Sequence, residues 1–178
     1  MRWLGYLALA VATCFSLARF WPTREHVTTS FAGYWVVARE LREGTPVARL
    51  YDEAFLSERM RAHGIGLAEV FLGPPTLALT ALPVAELDYP RARQAWVLGF
   101  SLPVILASCL ALARRGGPGV AWAMAAVMAS PAVGECLEVG QVYGFALGLH
   151  VLALWAAEGG RFPAWAGLVA APMMATRG

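Results

Sequence analysis

The chain has 178 residues, 58% of them hydrophobic and only 15% charged, and its mean hydropathy is +0.55. Soluble domains carry about 25% charged residues, so this composition excludes an ordinary soluble domain and indicates a polytopic membrane protein. The net charge is +2 and the basic residues are dispersed among acids, which argues against nucleic acid as a partner.

The first apolar segment, from Trp3 to Phe20, predicts a transmembrane helix. A cleaved signal peptide is the alternative interpretation. The run is long for a signal sequence, and Arg19-Phe20-Trp21-Pro22 lacks the small side chains of a cleavage site. We therefore favour a helix that stays in the membrane.

Residues 21–70 form a polar loop in which arginines and acidic residues are mixed. Its first helix is predicted from apolar residues at helical spacing, with Ser30 as N-cap and Gly44 and Pro46 as terminators. The charged residues from Arg39 to Glu43 fall mostly on the opposite face. We expect the aromatic face to lie at the membrane interface. The apolar positions are Phe31, Tyr34, Trp35, Ala38 and Leu41.

A second short helix in this loop is predicted over about 53–62, because Asp52 can cap it and His63-Gly64 can end it. The loop is too small to form a separate soluble domain. We therefore expect two interfacial helices that lie along the membrane.

Five further apolar runs follow within residues 71–178 and predict additional membrane spans. Polar turns at 88–93 and 114–119 and a break near Pro131, followed by residues 134–139, separate them, and Pro103 predicts a kink. The last run is shorter than the roughly 20 residues that a span needs, so we expect a chain truncated at its C-terminus. The runs are 71–87, 94–113, 120–133, 140–157 and 162–175.

The predicted fold is therefore all-α, a polytopic integral membrane protein with one membrane domain over residues 1–178. It would hold about five or six transmembrane helices, with the two interfacial helices in its first loop. Charge leaves the orientation open, because the arginines of the short segments are divided three against three between the two sides.

Two acids and an amide, Glu135, Glu138 and Gln141, lie where the fourth predicted span ends and the fifth begins. They either line a polar cavity or are solvated loop residues. The glycines at 140, 144 and 148 repeat every four residues and predict close helix packing.

No nucleotide-binding, zinc-protease or serine-hydrolase motif is present in the sequence, and no cofactor or metal is implied. The cysteines at 14, 109 and 136 lie in or beside apolar segments without CxxC or metal-ligand spacing. We expect them to be buried free thiols.

Four blocks of residues, in order and at similar spacing, carry a resemblance to a known family. Together they resemble the polyprenol-phosphate-dependent glycosyltransferases of family 87, also known as the DUF2029 domain, in the N-terminal half of a longer protein. The blocks are Phe31 through Trp35 with Gly44 and Tyr51-Asp52, Pro74-Pro75 with Leu82-Pro83, Ala95-Trp96, and Pro131-Ala132 with Gly140-Gln141.

The resemblance implies a GT-C fold whose first loop is extracytoplasmic and carries the active site. Such enzymes are similar to mannosyl- and arabinosyltransferases, which use a polyprenyl-phosphate sugar as donor and a cell-envelope glycan or glycolipid as acceptor. A carboxylate acts as general base on the acceptor hydroxyl, the lipid phosphate leaves, and the anomeric centre inverts. The implied location is the bacterial plasma membrane, as a multi-pass protein among membrane lipids.

One position departs from the family pattern, which has Asp where this chain has Ser30. A serine cannot take the acceptor proton unaided, so Glu25 and Asp52 become the candidate bases. The substrate-binding candidates are Tyr34, Trp35, Tyr51, Glu138 and Gln141.

Two other interpretations stay open. One is a catalytically inactive, truncated paralogue that acts as a membrane scaffold or partner subunit, and Ser30 favours it. A small transporter or channel subunit is less favoured, because no span carries a charge deep inside its apolar run.

Overall fold

A computed structural model describes residues 2–66 and 75–158, and within those ranges the protein is helical with no strand. This confirms the predicted all-α class. The elements are α1 (Arg2–Thr23), α2 (Thr29–Arg42), a 3-10 helix (Val47–Tyr51), α3 (Glu53–Ala62), α4 (Pro75–Ala78), a second 3-10 helix (Leu79–Val84), α5 (Tyr89–Trp96), a π-helical turn (Val97–Ser101), α6 (Leu102–Met128), α7 (Pro131–Val139) and α8 (Val142–Glu158).

Helix α1 contains the first predicted span and is long and apolar enough, over Trp3–Thr23, to cross a membrane. One face is buried in the protein at Leu9, Ala12 and Phe20. The other face leaves large apolar side chains exposed, which suits contact with lipid. They are Trp3, Leu7, Val11 and Phe15.

The second candidate span is a 40-residue helix over Tyr89–Met128. A straight helix of that length would measure about 60 Å, twice the hydrocarbon thickness of a bilayer. Its backbone leaves the helical region at Gly117, where φ is 78° and ψ is −168°. Glycine adopts a positive φ without the steric cost of a Cβ, and Pro118 suits the first turn of the helix that follows.

The contacts with α1 show that the chain turns back at Gly117. A Cβ placed on Gly5 would lie 2.6 Å from that of Ala121, and the Ser16 hydroxyl donates to the Met128 carbonyl over 2.7 Å. The second half of α6 therefore runs parallel to α1. The start of α5 lies at the other end of α1, where Arg93 bonds to Thr23, so the predicted turn at 114–119 is confirmed.

Two local predictions along these helices were wrong. Residues 89–93, predicted as part of a turn, begin α5, because Pro90 suits the first helical turn. Residues 134–139, predicted to lie between spans, belong to α7, which Ser130 caps through the Val133 N–H at 3.3 Å. The break predicted near Pro131 is confirmed, since α6 ends at Met128 and α7 begins at Pro131. A π-helical turn lies just before Pro103, and the kink there stays a prediction.

In the part that the structure describes, the predicted second span is not one continuous helix. Residues 75–84 form two short helical pieces, α4 and a 3-10 helix with Pro83 inside it, and they pack against α2. Residues 71–74 of this run, and the whole run 162–175, lie outside the described residues.

By length and composition, the described residues contain two candidate spans, or three if α7 and α8 form one span bent by 116°. The protein is therefore an all-α membrane protein. The figure of five or six spans stays a prediction.

The first loop contains the two predicted helices. Helix α3 has the predicted bounds, and Asp52 caps it by accepting from the N–H groups of Ala54 and Phe55 at 3.0 and 3.2 Å. Helix α2 begins two residues earlier than predicted, with Thr28 in the N-cap position in place of Ser30. The Ser30 side chain instead accepts a hydrogen bond from Gln141.

The aromatic face of α2 packs inside the protein, which corrects its predicted place at the membrane interface. Phe31 is 0% exposed and Trp35 is 2% exposed. Their rings meet α5, with Phe31 stacked 6.3 Å from Trp96 and Trp35 edge-on at 5.6 Å from Tyr89. Apolar spacing identified the face correctly, but an apolar face packs equally well against lipid or protein.

Glu40 was expected on the solvent face of α2, but it is only 2% exposed. Its carboxylate accepts from the Thr45 hydroxyl at 2.7 Å and pairs with Arg59 of α3. Arg59 also reaches Glu43 at 2.7 Å. Buried charges need such partners, so this network joins the two loop helices.

Candidate active site

Polar side chains converge where α1 ends, α2 begins and α7 meets α8. The Ser30 hydroxyl accepts a hydrogen bond of 2.7 Å from Nε2 of Gln141. These two positions are 111 residues apart in the chain. Both are positions that the sequence analysis selected, and the fold places them in contact.

Gly140 allows this approach. It ends α7 with a left-handed backbone, φ 68° and ψ 33°, before α8 leaves at a bend of 116°. A Cβ at this position would lie 2.7 Å from that of Phe31. Glycine at 140 therefore permits both the sharp turn and the contact with α2, and it places Gln141 against the first turn of that helix.

The predicted glycine face is therefore correct only in part. Gly144 and Gly148 lie in α8, where added Cβ atoms would be 3.2 Å from Ile105 and 2.8 Å from Val104 of α6. They allow the close helix packing that was predicted. Gly140 belongs to the end of α7 instead.

Thr28 and Tyr89 fix the start of α2 against this region. The Thr28 hydroxyl donates to the Val139 carbonyl at 2.9 Å. The Tyr89 hydroxyl accepts from the Thr28 N–H at 3.0 Å. Thr28 precedes Ser30 by two residues and Val139 precedes Gln141 by two, so these bonds fix the chain just before each partner.

Glu138 pairs with Arg19 of α1 at 2.8 Å, and both side chains are partly exposed. The Arg19 guanidinium also lies against Gly134, which leaves room for it on the surface of α7. The backbone carbonyl of Glu138 accepts from the buried Arg93. Glu138 and Gln141 are therefore held at one end of the helices, beside two arginines.

The two predicted bases, Glu25 and Asp52, make their polar contacts within their own segments. Glu25 is exposed and pairs with the neighbouring Arg24 at 3.2 Å. Asp52 is exposed and accepts the two N–H groups that it caps. The capping alternative for Asp52 is confirmed, and a catalytic role for either residue stays a prediction.

The loop aromatics predicted to bind substrate differ in their exposure. Trp35 is buried, with its ring 5.2 Å from that of His63, and its burial gives it a role in the core of the loop. Tyr34 is partly buried, while Tyr51 is about half exposed. Glu135, from the same predicted cluster as Glu138, is exposed on α7.

Sequence reasoning missed Arg19, Thr28, Tyr89 and Arg93 as parts of this region. Arg19 was read as the end of a span, and Tyr89 and Arg93 as a turn. Proline at position 90 was the available signal. A helix that begins there puts Tyr89 and Arg93 on one face, four residues apart.

A cavity of about 420 Å³ lies between α6, α7 and α8. Its lining is almost entirely apolar and includes Ile105, Met124 and Leu147. Two of the three cysteines, Cys109 and Cys136, also line it. The three cysteines are free thiols, although Cys14 is exposed on α1, where we had expected burial.

Comparison with known families decides the class of this protein. The model of glycosyltransferase family 87 matches residues 71–176, which is more than half of the chain. The chain belongs to glycosyltransferase family 87. It is therefore a membrane glycosyltransferase by family and by its apolar helices.

The family 87 match includes Arg93, Glu138 and Gln141, but it begins after Ser30 and the first loop. No curated protein and no solved structure matches this chain. In the part of the chain that the structure describes, no group of three or more His, Cys, Asp or Glu residues could hold a metal ion.

Proposed function

We propose that this family 87 protein transfers a sugar from a polyprenyl-phosphate donor to a hydroxyl of a cell-envelope glycan or glycolipid. The reaction takes place where Ser30 meets Gln141, on the extracytoplasmic side of a bacterial plasma membrane that the chain crosses several times. The observation that carries the proposal is the convergence of Ser30, Gln141, Glu138 and Arg19 at one end of apolar helices.

Arg19 is suited to the donor phosphate. It lies one turn before the end of α1, next to a face of apolar side chains that lipid can cover. A partly exposed guanidinium can exchange a carboxylate for a phosphate and bind it through two N–H groups. The isoprenoid chain then stays in the hydrocarbon while its phosphate lies at the membrane boundary.

Glu138 is the base in this scheme, because it lies three residues before Gln141 and its carboxylate pairs with Arg19. When Arg19 turns to the donor phosphate, the Glu138 carboxylate is released to accept the proton of the acceptor hydroxyl. The acceptor oxygen attacks the anomeric carbon from the side opposite the phosphate. The bond between that carbon and the phosphate oxygen breaks, and polyprenyl phosphate leaves with the electron pair.

Ser30 and Gln141 then have binding roles. The oxygen Oε1 of Gln141 is buried and has no hydrogen-bond partner within the described residues. Such an atom can accept from a hydroxyl of the bound sugar, which recovers a hydrogen bond that is otherwise missing. Ser30 orients the amide by accepting from its Nε2.

The experiment is a turnover assay in membranes that contain the full chain, supplied with polyprenyl-phosphate hexose and pentose donors. Sugar transfer and released polyprenyl phosphate are measured together. We expect Glu138→Gln to lower kcat by about 10²-fold or more, which is the usual contribution of a general base. Glu25→Gln and Asp52→Asn are the matched controls, and asparagine caps a helix as well as aspartate does.

The outcomes separate the candidates. If Glu138→Gln keeps full turnover while one of the loop variants loses it, the base lies in the loop and Glu138 has been misassigned. If neither the natural chain nor Ser30→Asp turns over any donor, the chain is an inactive membrane scaffold or partner subunit.

A further inference from the structure

Arg93 is the most deeply buried cation among the described residues, with 0% of its surface exposed. Its two terminal nitrogens donate to backbone carbonyls, Nη1 to Thr23 and Nη2 to Glu138. The guanidinium also lies over the Phe20 ring, 5.2 Å from its centre. A charge buried without a direct ion pair is unfavourable, and these contacts offset that penalty.

The two carbonyls belong to helix ends. Thr23 is the last residue of α1 and Glu138 is the last but one of α7. Helix C-termini carry unpaired carbonyls and a partial negative charge, and a cation satisfies both. One side chain from α5 therefore holds the ends of two other helices at a fixed separation.

These two ends lead directly into the candidate active site. The chain after Thr23 continues to Ser30, and the chain after Glu138 continues to Gln141. Tyr89, one turn before Arg93, bonds to Thr28 and so holds the same entry to α2. The first two turns of α5 thus serve as the common support for both halves of the site.

Arg93 has no role in binding the donor phosphate in this arrangement. Its terminal nitrogens are both used and it has no exposed surface. Arg19, by contrast, is partly exposed, and among the described residues its ion-pair partner is Glu138.

We propose that Arg93 is a positioning residue for glycosyl transfer, which holds Glu138 and Gln141 in register with Ser30 and never contacts the sugar. The catalytic part of this proposal rests on the proposed function, whereas the placement of the two helix ends does not. The test therefore has one readout of catalysis and one of placement.

For placement, Ser30→Cys and Gln141→Cys are combined in a chain whose three natural cysteines are replaced by alanine. The rate at which a short bifunctional thiol reagent joins positions 30 and 141 is measured in native membranes. We expect Arg93→Met to slow this cross-link at least tenfold. Arg91→Met is the matched control, because Arg91 lies in the same helix but is exposed, and its ion pair with Asp88, at 3.4 Å, is also exposed. It should leave the rate unchanged.

For catalysis, the same two arginine variants are compared in the chain with natural Ser30 and Gln141. A displacement of about 1 Å in a reacting group can cost 10²-fold in rate, so we expect Arg93→Met to lower kcat by about that factor. The donor KM should change less than threefold, because Arg19 and the lipid contacts are intact. A residue that only supports folding would lower the amount of active protein and leave kcat per folded molecule unchanged.

Arg93→Lys covers the case in which the methionine variant fails to insert. Lysine keeps the charge but is a single point donor, so it can satisfy only one carbonyl well, and cross-linking should fall between the natural and methionine values. Equal cross-linking rates and equal kcat for the Arg91 and Arg93 variants would overturn the proposal. If Arg93→Met slows cross-linking but the natural chain shows no turnover, Arg93 still positions the two helix ends and the proposed function is rejected.

Discussion

The polar groups of the first loop and those at the junction of α7 and α8 are satisfied in different ways. In the loop, Glu40, Glu43 and Arg59 satisfy one another, and Asp52 is used by the helix that it caps. At the junction, the buried cation bonds to backbone carbonyls, and the Arg19–Glu138 pair is open to solvent.

This difference separates two uses of charge. A closed network of ion pairs stabilises the loop and has little capacity left for a ligand. The junction keeps a carboxylate and a guanidinium that can still change partners, and an amide oxygen that has no partner among the described residues. The richest collection of charges in the sequence, residues 21–70, is therefore a poorer candidate for catalysis than a few polar residues between apolar helices.

Among the substitutions that test this difference, Arg59→Met should have the largest effect on the stability of the loop. It leaves Glu40 buried without its cation, and breaking a buried pair in this way costs about 3 kcal/mol or more. We expect the amides of α2 and α3 to lose a corresponding amount of protection in hydrogen exchange.

Arg42→Met is the control for that experiment. Arg42 pairs with Glu86, and both side chains are exposed, so this change should cost less than about 1 kcal/mol. Equal protection in the two variants would show that the buried network does not stabilise the loop.

A smaller effect is expected from Gly140→Ala at the junction. The left-handed backbone costs an alanine about 1–2 kcal/mol, and the new Cβ meets Phe31 at 2.7 Å. The 30–141 cross-link should slow as α2 moves away, with little change in the loop's own protection.

Gly144→Ala is the comparison variant, because the nearest neighbour of its Cβ would be the end of the flexible Ile105 side chain, at 3.2 Å, with Cys136 in ordinary contact at 3.6 Å. A cross-linking rate in Gly140→Ala as high as in Gly144→Ala would contradict the role assigned to the turn.

The smallest effect is a pH dependence in the loop. Burial, together with the cations Arg39 and Arg59, lowers the pKa of His63 from its ordinary value of 6.5, and Glu40 and Glu43 only partly oppose this. The unfolded chain therefore binds more protons than the folded one just below pH 6.5, so loop stability should fall as the pH drops through this range.

This dependence is measured by hydrogen exchange of α3 between pH 7 and pH 5, after correction for the intrinsic exchange rate. His63→Gln should remove most of the slope, and His26→Gln, which changes an exposed histidine of the same loop, is the control. A slope that survives in His63→Gln assigns the titration to another group.

The features predicted correctly are mostly those whose cause is local in the sequence. Helix α3 was placed to the residue because Asp52 and Gly64 mark its two ends within a dozen positions. The turn at Gly117 was predicted because glycine and proline follow a pair of arginines.

The features that were missed depend on contacts between distant segments. Apolar spacing showed that Phe31 and Trp35 share a face, but only the fold shows that α5 covers it. Ser30 was read as a cap from its neighbours, whereas its partner lies 111 residues later. Proline and two nearby arginines predict a turn at Arg93 from the sequence alone. Only the fold shows that its guanidinium donates to backbone carbonyls at the ends of α1 and α7.

The distance between charged residues along the helix that begins at Tyr89 is close to the thickness of the bilayer. The exposed arginines Arg91 and Arg114 are separated by about 35 Å at the helical rise, a few ångströms more than the thickness of the hydrocarbon layer. Water and headgroups at both surfaces then hold the helix at one depth. Lipids with shorter or longer chains should strain that match, and the rate of sugar transfer would report on membrane thickness.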